Sequence, residues 1–124
     1  MYFEYKDYVK NHSVYQDMLH VMRQETDEFM KYFKDDSRFL SGWGHGYFCN
    51  EDGGRLIYDI TKPFEHKCSI CGRTYNEYIY DSYFITMFRN EAVITALKAA
   101  LLYNLYKEET HLLTVKTIIG FYAE

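Results

Sequence analysis

The sequence predicts a mainly α-helical chain that carries one small, cysteine-bearing β insert. Two observations lead there. Three stretches place apolar residues at helical spacing, and between the first and second of them the segment 43–76 changes to glycine-rich turns and short β-prone runs. A composition that is 48% hydrophobic and 26% charged over 124 residues adds that the chain is globular and amounts to one domain at most.

The first helix is expected to begin near Ser13. Ser13 and Gln16 have the spacing of a capping box, in which each side chain satisfies the other residue's free backbone N–H. Tyr15, Met18, Met22, Phe29 and Phe33 then mark an apolar face read as core, with Asn11 and His12 just outside the helix. Its end is expected near Asp35 and Asp36, because Ser41, Gly42, Gly44 and Gly46 favour a loop. In the insert, Arg55–Ile60 has a strand's composition between Gly53-Gly54 and Pro63, and Thr74-Tyr75 offers a second strand. With Tyr47-Phe48 these would form an antiparallel ribbon too small to be stable alone.

The second helix runs from about Ser82 to Tyr106 with Asp81 as N-cap. Ile85, Phe88, Ala92, Ala96, Ala99 and Tyr103 trace one face, and Ala100, Leu101 and Leu102 widen it enough to suggest contact on more than one side. Lys107-Glu108-Glu109 makes a turn, and Thr110 caps a third helix with Leu113, Val115, Ile118, Ile119, Phe121 and Tyr122 as its apolar residues. Helices joined by so short a turn pack antiparallel. The third helix carries no stop signal, which leaves two readings: the helix docks at its own end, or, the one favoured here, these residues are the front part of a longer helical protein.

Charge narrows the function classes. A net charge of −4 argues against a general nucleic-acid binder or a basic membrane-surface protein, whose affinities come from Lys and Arg. No run approaches the ~18 apolar residues of a membrane span. Met1–Lys10 has no apolar signal-peptide core, which makes the cytoplasm the default expectation. Three cysteines cannot close a disulfide framework.

Those cysteines carry the strongest local signal. Cys68-x-x-Cys71-Gly72 has the form of a zinc knuckle, two thiolates two residues apart with a glycine that lets the backbone turn. Cys49-x-x-Asp52-Gly53 looks like a second knuckle whose second cysteine is an aspartate. Zinc accepts carboxylate oxygen or imidazole nitrogen, so Asp52 gives a Cys3Asp set, His66 a Cys3His set, and His45 is a third candidate. Such a closed site would be structural. The competing readings are reduced thiols packed as small hydrophobes and a redox Cys-x-x-Cys, which the glycine and strand-like segment after Cys71 disfavour. No nucleophile motif, phosphate loop or spaced carboxylate pair occurs, so no catalytic residue is expected in this chain. His20 and His111 fall within helices, and the tyrosines at 75, 78, 80 and 83 read as packing groups with a polar handle.

The order Gly42-Trp43-Gly44-His45-Gly46-Tyr47-Phe48-Cys49, Leu56-Ile57-Tyr58-Asp59, Pro63, Glu65-His66-Lys67-Cys68-Ser69-Ile70-Cys71-Gly72 and Tyr80-Asp81 through Arg89-Asn90 resembles the N-terminal region of the heparinase II/III family of polysaccharide lyases. The resemblance runs from about Tyr15 onward. It implies antiparallel helices of an incomplete (α/α) toroid with a small zinc-ribbon-like β insert, and an acidic polysaccharide as the substrate of the full-length parent. It further implies β-elimination, in which a base removes the C5 proton of a uronic acid while its carboxylate is neutralised. The residues doing so lie mainly in later parts of such proteins. Trp43, His45, Arg89 and Asn90 match conspicuous positions of the pattern and are the candidates for bordering the glycan cleft, while Asp52 departs from a full cysteine set. Under this reading the last helix meets the remainder of the toroid or a second copy. The alternative is a stand-alone zinc-stabilised helical module that binds a partner protein through that same apolar helix.

Overall fold

A computed structural model, which describes residues 2–123, orders the chain as α1 (Tyr2–Asn11), α2 (Ser13–Tyr32), β1 (His66–Lys67), β2 (Thr74–Tyr75), α3 (Tyr78–Tyr106) and α4 (Glu109–Ala123). The protein is thus mainly helical with one small sheet, as the sequence predicts. Two compact units divide it: residues 1–33 with 92–124, and residues 34–91.

In the first unit, α1 is an element the sequence reading missed, and it accounts for a second correction. Its carbonyls near Asn11 lack helical partners, and the Gln16 side chain donates to Lys10 O at 3.0 Å instead of completing a capping box. His12 alone separates the two helices, as an N-cap without a side-chain bond. α2 ends at Tyr32, slightly before the expected boundary. Its buried residues are Leu19, Thr26 and Phe29, and Met22 packs against the Leu19 cluster, so the expected face is inward at Met22 and Phe29, whereas Tyr15 and Met18 near its start are exposed.

Pairings along α2 give the helix directions. Leu19 packs with Leu102 and Leu105, and Glu25 accepts from Lys98 Nζ at 2.6 Å. Advancing along α2 therefore means retreating along α3. Arg23 meets Glu108 at 2.9 Å, and Phe33 meets Phe121 at a ring distance of 5.8 Å, so α2 and α4 run parallel. It follows that α3 and α4 are antiparallel, as expected. Their connection is shorter than expected, Lys107-Glu108, with Lys107 in the left-handed region at φ 56°. His111 and Ile118 are the buried residues of α4. Val93, Ile94, Leu97 and Leu101 on α3 and Leu113, Ile119, Phe121 and Tyr122 on α4 are exposed. The second side of α3 that the sequence expected to be covered is therefore bare here.

The second unit is built from short antiparallel pairings. Phe48 bridges Arg55, Leu56 bridges Cys68, and β1 pairs with β2 through His66–Tyr75 and Lys67–Thr74. The expected strand Arg55–Ile60 pairs only at its start, where Ile57 N donates to Lys67 O at 2.8 Å. The Asp59 carboxylate then accepts from both Thr61 N and Thr61 Oγ1, closing a turn that ends the pairing. α3 begins at Tyr78, a turn before the expected start, which puts Asp81 inside the helix rather than at its cap.

Candidate metal centre

The two knuckles have the same backbone build. Cys49 N donates to Gly54 O at 2.7 Å, and Cys68 N donates to Arg73 O at 2.8 Å, so each loop closes between its first cysteine and the residue five positions on. Gly53 and Gly72 occupy equivalent places at φ 71° and 75°, conformations that a side chain would strain. Asp52 therefore stands where the second cysteine of its knuckle would be. This is the substitution that the spacing suggests.

The loops meet face to face. One ligand atom from each of Cys49, Asp52, Cys68 and Cys71 lies within 4.8 Å of all the others. Cys49 Sγ and Cys71 Sγ are 3.7 Å apart, and Cys68 Sγ is 3.4 Å from Asp52 Oδ1 and 3.7 Å from Asp52 Oδ2. A tetrahedral zinc ion with bonds of about 2.3 Å to sulfur has S···S edges of about 3.8 Å. The donor set fits a cation of that size.

Electrostatics favour a cation as well. The Tyr75 hydroxyl, 3.1 Å from Cys49 Sγ, lowers the Cys49 pKa, and the Gly54 N–H at 2.7 Å from Asp52 Oδ1 lowers that of Asp52. At Cys71 the Arg73 backbone N–H favours the thiolate, but loss of solvent and the neighbouring Asp52, Cys49 and Cys68 outweigh it and push the thiol up to about 11. Anionic groups this close resist a further negative charge unless a cation enters. Cys49 and Cys68 are buried, while Asp52 and Cys71 face solvent.

His66, the alternative fourth ligand, lies elsewhere. Fully buried on β1, it meets Tyr47 OH with Nδ1 at 2.5 Å and Asp81 Oδ1 with Nε2 at 2.7 Å. Both ring nitrogens are thus engaged, tying the sheet to the first turn of α3. Burial, with a contribution from Asp81, raises the Tyr47 pKa, which keeps its proton available for the imidazole. His45 is also outside the cluster, on the short 3-10 turn Gly44–Gly46.

No family model matches the chain, and no curated protein or solved structure matches it either.

The remaining site candidates separate into two kinds. Trp43 is 74% exposed, with its ring 5.7 Å from that of the exposed His45. The glycine loop bearing them is seated tightly on α3: Thr86 Oγ1 donates to Gly42 O at 2.6 Å, and a Cβ at Gly46 would lie 2.6 Å from Tyr83. Arg89 instead braces the preceding loop, reaching Asp35 Oδ2 at 2.9 Å, Ser41 Oγ at 2.7 Å and Phe39 O at 2.8 Å. Asn90 is exposed beside it. The sequence reading names Tyr75 as a packing group, Asp81 as a helix cap and Tyr47 as a strand residue, and does not foresee that Tyr75 faces Cys49 or that Tyr47 and Asp81 engage His66.

Proposed function

We propose that this chain is the opening part of a heparinase II/III-like polysaccharide lyase, stabilised by a structural zinc ion on Cys49, Asp52, Cys68 and Cys71. The observation that carries the zinc assignment is the pair of equivalent knuckles converging on one cation-sized site. Four protein ligands leave no open position, so the ion would cross-link the two loops and take no part in bond cleavage. The order of motifs from Gly42 to Asn90 supports the family reading, and antiparallel helices with a bare apolar face fit the first pairs of an (α/α) toroid. Among the described residues no helix is long and apolar enough to cross a membrane.

In this reading the parent acts on a uronic-acid-containing glycan by β-elimination, and its catalytic groups lie outside these residues. Trp43 and His45 are the residues here best presented for a sugar ring, because the tight loop holds an aromatic surface in solvent. Arg89 and Asn90 would act at one remove, by holding and flanking that region. Exposed apolar residues on α3 and α4, among them Leu97, Leu101, Leu113 and Ile119, favour a second reading, a stand-alone zinc-stabilised module that docks a partner protein.

Metal analysis and the reading frame test these ideas separately. Purified protein should carry about one equivalent of zinc, and less than a tenth of an equivalent would end the structural-site reading. A coding sequence that continues past Glu124 into further helix pairs, with release of unsaturated uronate by the complete protein, supports the lyase. A stop codon there, or a complete protein with no such activity on heparan sulfate or alginate, favours the docking module.

A further inference from the structure

The two knuckles are alike in backbone but not in what reaches their sulfurs. Tyr75 sits on β2, just past the second knuckle, and is 4% exposed. Its hydroxyl crosses to the first knuckle, accepting from Asn50 N–H at 3.0 Å and facing Cys49 Sγ at 3.1 Å. With Asn50 N–H as the donor to its oxygen, the hydroxyl proton is free to point at the sulfur. The Tyr80 ring packs tilted against that of Tyr75, 4.7 Å between centres at 39°, and the Arg73 guanidinium lies 5.4 Å from the Tyr75 ring centre, so two neighbours restrain the ring. Backbone donors serve both sulfurs, Ile70 N–H reaching Cys68 at 3.3 Å and the equivalent Glu51 N–H reaching Cys49, so the tyrosine hydroxyl is what the first knuckle has in addition.

We infer that Tyr75 is a positioning residue of the metal centre, its hydroxyl donating a hydrogen bond to the Cys49 thiolate and fixing the first knuckle against the second. The inference rests on the metal reading above. Its chemistry is that of outer-shell control: a hydrogen bond to a ligating sulfur draws charge from the thiolate, steadies a site holding four anionic ligands, and sets the sulfur's direction. Because the bond joins the first knuckle to the strand that directly follows the second, it also opposes their separation when the ion leaves.

The test compares Tyr75→Phe with wild type and with Tyr58→Phe, which removes a hydroxyl bonded to Glu91 at 2.7 Å, outside the metal cluster. Cobalt(II) is the spectroscopic probe and zinc the affinity probe, in competition with a chromogenic chelator. Tyr75→Phe should weaken zinc binding about 10–100-fold. It should also shift the sulfur-to-cobalt charge-transfer band to lower energy, because the thiolate loses a donor. Tyr58→Phe should change neither. A second measurement needs no variant: in cadmium-113-loaded wild type, the Tyr75 hydroxyl proton should show scalar coupling to the metal through the sulfur. A folded Tyr75→Phe protein with unchanged affinity and band, or absent coupling to an observed Tyr75 hydroxyl proton, overturns the inference while leaving the metal site standing. Failure of wild type to bind zinc, cobalt or cadmium overturns the site itself.

Discussion

Replacing His66 by Ala separates the two fourth-ligand assignments that the sequence allows. His66 is fully buried, bonded to Tyr47 at 2.5 Å and Asp81 at 2.7 Å, and its ring lies 5.8 Å from that of Phe84. Truncation strands two polar groups. Each costs about 1–3 kcal/mol when a partner is removed. The Asp81 side chain keeps 15% exposure and can recruit water, which puts its share at the low end. The Tyr47 hydroxyl retains only a long contact of 3.4 Å to Ile57 O. A residual cavity of roughly 50 Å³ at ~24 cal/mol per Å³ adds about 1 kcal/mol. The expected destabilisation is therefore about 3–5 kcal/mol, read from the guanidinium midpoint of the metal-loaded protein. His66→Gln, which can still donate and accept, should recover part of it. Because His66 is not at the cluster, folded His66→Ala protein should still bind one equivalent of zinc. Loss of the metal with the fold intact would refute the Cys3Asp assignment, and a destabilisation below about 1 kcal/mol would refute the buried Tyr47–His66–Asp81 chain.

Asp52→Ala should do the reverse, lowering zinc affinity by more than the roughly 100-fold of an outer-shell change while a chelator-treated sample is little altered in stability; competition titration and calorimetry check the two halves. Gly46→Ala forces a Cβ to within 2.6 Å of Tyr83 Cζ and should cost about 1–3 kcal/mol, with Tyr83→Ala in the same chain restoring part of the loss in thermal unfolding. The Arg38 side chain and backbone N–H hold the Asp36 pKa down at about 2. Its stabilisation should thus be fully present above the unfolded carboxylate value of about 3.9 and vanish as the pH falls through about 2. A carboxyl carbon NMR titration with a midpoint near 4 would contradict that pairing.

What could be read in advance follows from how far apart the interacting residues are. A knuckle is a local statement: two ligands, a glycine and a turn within six residues, so Cys68, Cys71, Cys49 and the aspartate replacing a fourth cysteine were legible from spacing alone. The long helix α3 was legible for a similar reason, its small and apolar residues repeating over many turns. On α2 the helical spacing names Met22 and Phe29 on the inward face, but it does not show that the polar Thr26 is buried between them or that the face is uncovered at Tyr15 and Met18. Its capping box failed because an uncredited helix ends just before it and draws off the Gln16 amide. The choice between Asp52 and His66 lay beyond local reasoning, because either residue type can ligate zinc. It turns on Asp81 and Tyr47, fifteen and nineteen residues from His66, which the packing of α3 against the ribbon brings to both ring nitrogens. Arg89 follows the same rule, since its partners in the loop 35–41 are about fifty residues away. A sequence pattern thus names groups able to bind a metal or a sugar, and the long-range hydrogen bonds decide which of them the fold has already engaged. By that criterion Asp52 stays available to a metal and Trp43 to a ligand, while His66 and Arg89 hold the scaffold in place.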